Sequence, residues 1–170
     1  MAWIRPGSRT ERRSGSGKQK CSLKRELFYM FVSVTRLRIR SIRFVPLFMF
    51  HTLRSQHQVK RAPGFHAGAV LADRSWAFWT MTAWDSQESM REYMTTGSHK
   101  RAMPHLLNWC DEASVAHWIQ PETTLPSWTE ADRRMREEGR ASKVRHPSPR
   151  HANLTFRTPR TTRGGTLRRA

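Results

Sequence analysis

The stretch Trp76–Trp84, WAFWTMTAW, decides how this chain folds. In an extended strand alternate residues share a face. Trp76, Phe78, Thr80, Thr82 and Trp84 then lie on one side, and Ala77, Trp79, Met81 and Ala83 on the other. A strand wet on one side alternates apolar with charged residues. Here neither side carries a charge, so something must cover both. Phe65–Ala72 reads as a second strand, joined to the first through Asp73-Arg74-Ser75 as a hairpin. Met30–Ile39 (MFVSVTRLRI), rich in β-branched residues, is a third. Its apolar phase shifts from Met30, Val32 and Val34 to Leu37 and Ile39 on the opposite face. Either both faces are covered early in the strand, or a bulge near Thr35–Arg36 re-aims it.

Pro46 suits a first helical turn, where its missing N–H has no intrahelical partner to lose. The helix it opens runs to about Arg61 and stops at Ala62-Pro63-Gly64. Its first half is apolar all round (Phe44, Val45, Leu47, Phe48, Met49, Phe50), which predicts burial on more than one side. Asp85, with Glu88 three residues on, caps a helix over roughly 86–95. Ser98 opens another containing Met103, Leu106, Leu107 and Cys110, kinked at Pro104. Ser114–Gln120 is a last strand, and Ser127–Glu138 a polar terminal helix anchored by Trp128. The order β-α-β-β-α-β is the ferredoxin-like pattern, an α+β fold with a four-stranded antiparallel sheet and helices on one face. The other face is apolar and bare, which predicts a homodimer with sheets packed face to face.

The 170 residues suit a single domain, with a formal charge of +18. Residues 1–29 hold 8 Lys and Arg against 2 acids, 30–142 hold 15 against 11, and 143–170 hold 8 against none. The middle is the globular candidate: 30–120 the domain and 121–142 a helical extension. Residues 1–29 read as a basic, largely disordered extension. The 143–170 tail, rich in Arg, Pro, Ser, Thr and Gly, also reads as disordered. The N-terminal stretch resembles a transit peptide in composition, and a secretory signal in its short apolar run before Arg36. The third reading, carried forward, is an appendage before a fold that starts at Met30. No apolar run reaches the roughly 18 residues of a membrane span, so a cytoplasmic protein without a membrane partner is expected. Two cysteines, Cys21 and Cys110, exclude a disulfide scaffold and a Cys-rich zinc module.

With that order established, Phe31–Leu37, Pro63-Gly64-Phe65 and Phe78–Met90 (FWTMTAWDSQESM) resemble the antibiotic biosynthesis monooxygenase superfamily, the dimeric α/β-barrel proteins, in a spheroidene-monooxygenase-like form. The resemblance covers about residues 30–120 and implies a small monooxygenase acting on a flat apolar compound. Quinone-forming members need no metal or flavin, because the deprotonated substrate itself reacts with oxygen. Haem-degrading members carry Asn, Trp and an axial His at positions that fall here near Thr35, Tyr93 and Met103, so the haem pattern is broken; His99 and His105 flank the last position, and a shifted ligand keeps a haem-binding or haem-degrading protein as an alternative.

On that reading His99 is the proton acceptor, near a helix start that favours its neutral form. Arg36 partners an anion or oxyanion; Trp84, Tyr93 and Met103 form the pocket wall; Thr35 and His117 complete the binding surface. Each has a plainer reading: a first-turn surface histidine, a solvated arginine, core aromatics, a strand histidine. His51 reads as a core-edge residue, and His57 and His66 as surface. Asp111-Glu112 is read as solvated charge. No metal site, phosphate loop or nucleophile elbow is visible. Two other classes stay open: a non-catalytic dimeric binding module, and non-specific nucleic-acid binding through the basic ends.

Overall fold

A computed structural model describes residues 29–170. The chain runs through β1 (Met30–Ile39), α1 (Val45–Val59), β2 (Phe65–Ala72), β3 (Ala77–Trp84), α2 (Gln87–Met94), α3 (Gly97–Trp109), β4 (Cys110–Gln120), α4 (Trp128–Glu137), β5 (Arg140–Ala141) and β6 (Gly164–Arg168). The sheet is antiparallel throughout, ordered β5-β4-β1-β3-β2-β6. Its middle four strands reproduce the expected βαββαβ pattern. The sheet has six strands rather than four, because two short C-terminal strands cap its edges.

The two faces of β3 are as the alternation requires, and both are dry. Trp84, with Phe31 of β1 and Phe65 of β2, packs against Val59 and Met90 of the helices. At the other end of this face Phe78 and Ile39 meet Phe48 and Trp109. The opposite face, Val32, Val34, Ala69, Leu71, Trp79, Met81, Ala116 and Trp118, packs on Ala131 and Met135 of α4 and on Leu125, Trp128 and Phe156. The cover that the sequence assigned to a twin subunit is therefore supplied by the chain itself. The physical reason for face-to-face dimerisation on this side is gone.

The C-terminal segment also departs from expectation. Residues 143–170 were expected to lie outside the packed structure, yet Val144, Phe156 and Leu167 each join an apolar cluster. Residues 143–163 cross the sheet as a strap, and β6 then pairs with β2 from Ala67↔Arg168 to Leu71↔Gly164. Few apolar residues suffice because each is placed over a pre-formed apolar surface, and the backbone groups find sheet partners. The expectation for 1–29 lies outside the described residues, apart from the exposed Tyr29.

Local differences have simple causes. β1 keeps register with both neighbours through Thr35–Arg36, and its shift against β4 comes at Arg38/Ile39. Trp76 leaves the strand: Ser75 and Trp76 adopt positive φ in a tight turn, and Trp76 is exposed. The α2 cap is Ser86, whose hydroxyl accepts from the Ser89 N–H at 3.2 Å, rather than Asp85. α3 stays helical through Pro104. α1 buries only Phe48 and Val59, not its whole first half.

Candidate functional site

On the helix side of the sheet, residues alternate with those over α4. Phe78, Thr80, Thr82 and Trp84 lie along β3, with Leu37, Thr35, Ser33 and Phe31 opposite them on β1. Both rows are apolar at their ends and polar in the middle. α1 repeats the order on the stripe that faces them. Phe48 and Val59 are buried at its ends, whereas Thr52 and Ser55, at helical spacing between them, are half-buried. A layer of hydroxyls thus separates two apolar clusters. Its centre is not sealed: Thr35, Thr80, Val115 and His117 all remain partly accessible. Buried hydroxyls need partners. Thr82 meets this locally, accepting from Trp84 Nε1 at 2.9 Å and donating to the Ser33 carbonyl at 3.4 Å.

At one end of this layer three of the expected site residues meet. The Trp84 and Tyr93 rings are 5.3 Å apart, and Tyr93 and His99 are 4.7 Å apart. Trp84 is fully buried, with Phe65 edge-on at 5.4 Å. Tyr93 Oη donates to the Ser55 carbonyl at 3.2 Å, tying α2 to α1. Burial pushes the Tyr93 phenol well above its ordinary range. His99 Nδ1 lies 3.3 Å from the Met94 carbonyl. A carbonyl only accepts, so the proton sits on Nδ1 and Nε2 keeps its lone pair. Burial lowers the His99 pKa, with the Met94 bond opposing it. A neutral imidazole with a free Nε2 can accept a proton from a bound molecule.

Gln58, unnoticed in the sequence reading, holds this corner. Its Oε1 accepts from the His99 N–H at 3.0 Å, and its Nε2 donates to the Thr96 carbonyl at 3.2 Å. Gly97 permits the approach: its φ is +53°, and a Cβ there would lie 2.8 Å from the Gln58 side chain. A polar residue late in a helix reads as solvent-facing, and only the tertiary contact reveals its task.

The other expected residues divide. Thr35 lies on the hydroxyl floor, beside Thr80 and Val115. His117 shares that face and packs on Phe31 at 5.4 Å, its pKa lowered by burial and then by Arg140 and Arg91. Met103 is 41 % exposed and joins none of the three apolar clusters. Arg36 points to the opposite face. There it donates to Glu112 at 2.6 Å and lies 4.3 Å from the Phe156 ring centroid. Arg38 pairs with Asp111 at 2.5 Å and with Glu112 at 2.9 Å, and Ser148 of the strap donates to Glu112 at 2.9 Å. Asp111 and Glu112 are thus partners of a largely buried ion network, not solvated charge. β4 starts at Cys110, four residues earlier than expected, and carries them into the sheet.

Two clefts of the described residues lie elsewhere than between Trp84, Tyr93, His99 and Met103. One, of about 390 Å³, lies between α1 and α2, with Tyr93 as the one expected site residue in its lining. The other, of about 350 Å³, lies between the end of β4 and α4. The axial position of the haem-degrading members falls on Met103, which is exposed. Among the described residues no group of three or more His, Cys, Asp or Glu could hold a metal ion. No described helix is long and apolar enough to cross a membrane.

Comparison with known proteins places this geometry in context. Residues 48–165, from α1 into β6, match the family model described as a domain of unknown function, DUF3291. The match includes α4 and the strap. No curated protein matches the chain. Among solved structures, the fold is similar to a conserved protein from Methanosarcina mazei Go1, at 14 % identity and a TM-score of 0.49, covering 54 % of this chain and 93 % of that one. It is similar to SnoaB, a cofactor-independent oxygenase from Streptomyces nogalater, at 17 % identity and a TM-score of 0.44, covering 58 % and 98 %. A protein described as an antibiotic biosynthesis monooxygenase matches at 11 % identity and a TM-score of 0.47, covering 52 % and 95 %.

Proposed function

The chain belongs to the DUF3291 family, and from that premise we propose a small monooxygenase of the antibiotic-biosynthesis type, acting on a flat, largely apolar compound. The observation that carries this reading is the hydroxyl layer between α1 and the sheet, polar and partly accessible between two sealed apolar ends. A planar molecule bound at this layer would set its faces on apolar side chains and its polar edge on Thr35 and Thr80. The resemblance at Phe31–Leu37 and Phe78–Met90 supplies the reaction class.

In this reading Trp84 and Tyr93 form the apolar wall, and His99 Nε2 takes a proton from the substrate. The resulting anion is electron-rich enough to react with dioxygen. One oxygen atom ends as a new carbonyl, and the other leaves as water with the two hydrogens of the oxidised carbon. His117 stands at the rim of the same face. Arg36 and Met103 have no part in it.

The test is oxygen uptake with tricyclic compounds bearing an acidic methylene between two aromatic rings. Wild-type uptake should fall by ~10²-fold or more in His99→Gln, the range of a lost general base, with the melting transition kept. A second reading is a binding module without chemistry. It is favoured by Trp84, which is fully buried between Phe65 and Tyr93 rather than lining an open wall. Fluorescence quenching by the same compounds without oxygen uptake would establish that alternative. No quenching and no uptake would remove both. Retention of nucleic acid by the basic surface would be accessory and salt-sensitive.

A further inference from the structure

We propose that the outer face of α1 docks on an anionic lipid surface. Leu47, Phe50 and Leu53 are 54 %, 52 % and 59 % exposed, and Ile42, just before the helix, is 65 % exposed. Met49 and Met103 of the neighbouring α3 add to the same exposed apolar set. On α1 these residues occupy the arc opposite Phe48 and Val59, which face the sheet. Single exposed apolar residues are ordinary, but a row of large ones along one helix forms a patch that calls for a partner.

The charge around the patch selects that partner. Between Arg36 and Ala72 there are seven Lys and Arg and no acidic residue. Arg43 and Arg54 are exposed on or beside the apolar arc, with the Arg54 guanidinium 5.5 Å from the Phe50 ring and that of Arg43 4.9 Å from Phe44. Apolar side chains backed by guanidiniums and free of carboxylates match an interface of acyl chains below phosphates. A second copy would bring the same cationic face, on a chain of net charge +18, against its like. A nucleic acid would leave the aliphatic ridge of Leu47, Leu53 and Ile42 without a partner. Nothing in this docking depends on what the interior binds.

The experiment is co-sedimentation of the full chain with phosphatidylcholine vesicles, with and without about a quarter of phosphatidylserine. The wild type should sediment with the anionic vesicles and remain in solution with the neutral ones. Phe50→Ser with Leu53→Ser should reduce partition at least about tenfold, through loss of inserted apolar area. Arg43→Gln with Arg54→Gln should reduce it too. A wild type that stays in the supernatant at low salt overturns the proposal. So does a serine pair that sediments like wild type, since the basic ends would then be the binder. Light scattering that shows self-association abolished by the serine pair would make a second copy the occupant, and overturns it as well. Should the serine pair unfold, a polarity-sensitive dye on Leu53→Cys reads the same contact. Its emission should shift to the blue on anionic vesicles alone, and an unshifted emission overturns the docking.

Discussion

Phe156→Ala tests whether the strap does the work that a twin subunit would otherwise do. The ring sits edge-on to Trp79 at 5.4 Å, with the guanidiniums of Arg36 and Arg136 at 4.3 and 4.5 Å from its centroid. Full burial of a phenylalanine is worth roughly 3–5 kcal/mol on truncation. Phe156 is half-buried, so about 2 kcal/mol is the packing share. The Trp79 geometry adds ~0.5–1 kcal/mol and the guanidinium contacts ~0.5 kcal/mol. Water reaching Arg36 in the variant returns part of this. The net loss should be about 2–3 kcal/mol, or roughly 6–10 °C in melting temperature for a domain of this size. Phe156→Leu keeps apolar volume but loses the π face, and should lie about midway. Thermal unfolding followed by circular dichroism measures both. A shift of Phe156→Ala below about 2 °C would refute the strap as structural cover.

Removing residues 143–170 takes Phe156 from Trp79 and β6 from the β2 edge, and light scattering should then show more association than for the full chain; an unchanged particle state would contradict the packing. Gly97→Ala combines a positive φ with a clash against Gln58, and should destabilise by about 2 kcal/mol or more, read by denaturant melts. His99, His51 and His117 all have pKa values below the ordinary 6.5, led in each case by burial. Their neutral forms favour the native state, so stability from them is fully present above about pH 6.5 and declines as pH falls through their lowered values; His99→Gln should flatten that decline. The Cys110 thiol is buried and its pKa is pushed up to about 12, so mapped alkylation at Cys110 should proceed at the rate of unfolding, and rapid labelling of the native protein would contradict its burial.

The four middle strands were legible because β3 carries two uncharged faces and the hairpin residues punctuate it, whereas β5 and β6 were not. Two uncharged faces require cover on both sides, but not which segment supplies it. By composition Phe156 and Leu167 are too sparse to form a core of their own. Each lands on a surface that the rest of the chain has already built, and composition cannot register that. Arg36 was misplaced for a related reason. Its carboxylate partner lies 76 residues away on β4, and nothing local separates a buried arginine from the solvated ones beside it. Of the candidate site, Trp84, Tyr93 and His99 were readable as aromatic and basic residues, and the structure brings their rings together. Gln58 was not, because its bonds cross from α1 to the α2–α3 junction.

The pairing of β6 with β2 also dictates when this protein can be finished. β2 ends at Ala72, but the strand that covers its outer edge is complete only at Arg168. During synthesis the ribosome must deliver almost a hundred further residues, and release the last of them from its exit tunnel, before that edge closes. Until then the nascent sheet offers an open rim to any extended segment nearby. The closing step waits for β6 to emerge, and chains that break off before it should be the ones that chaperones and proteases meet.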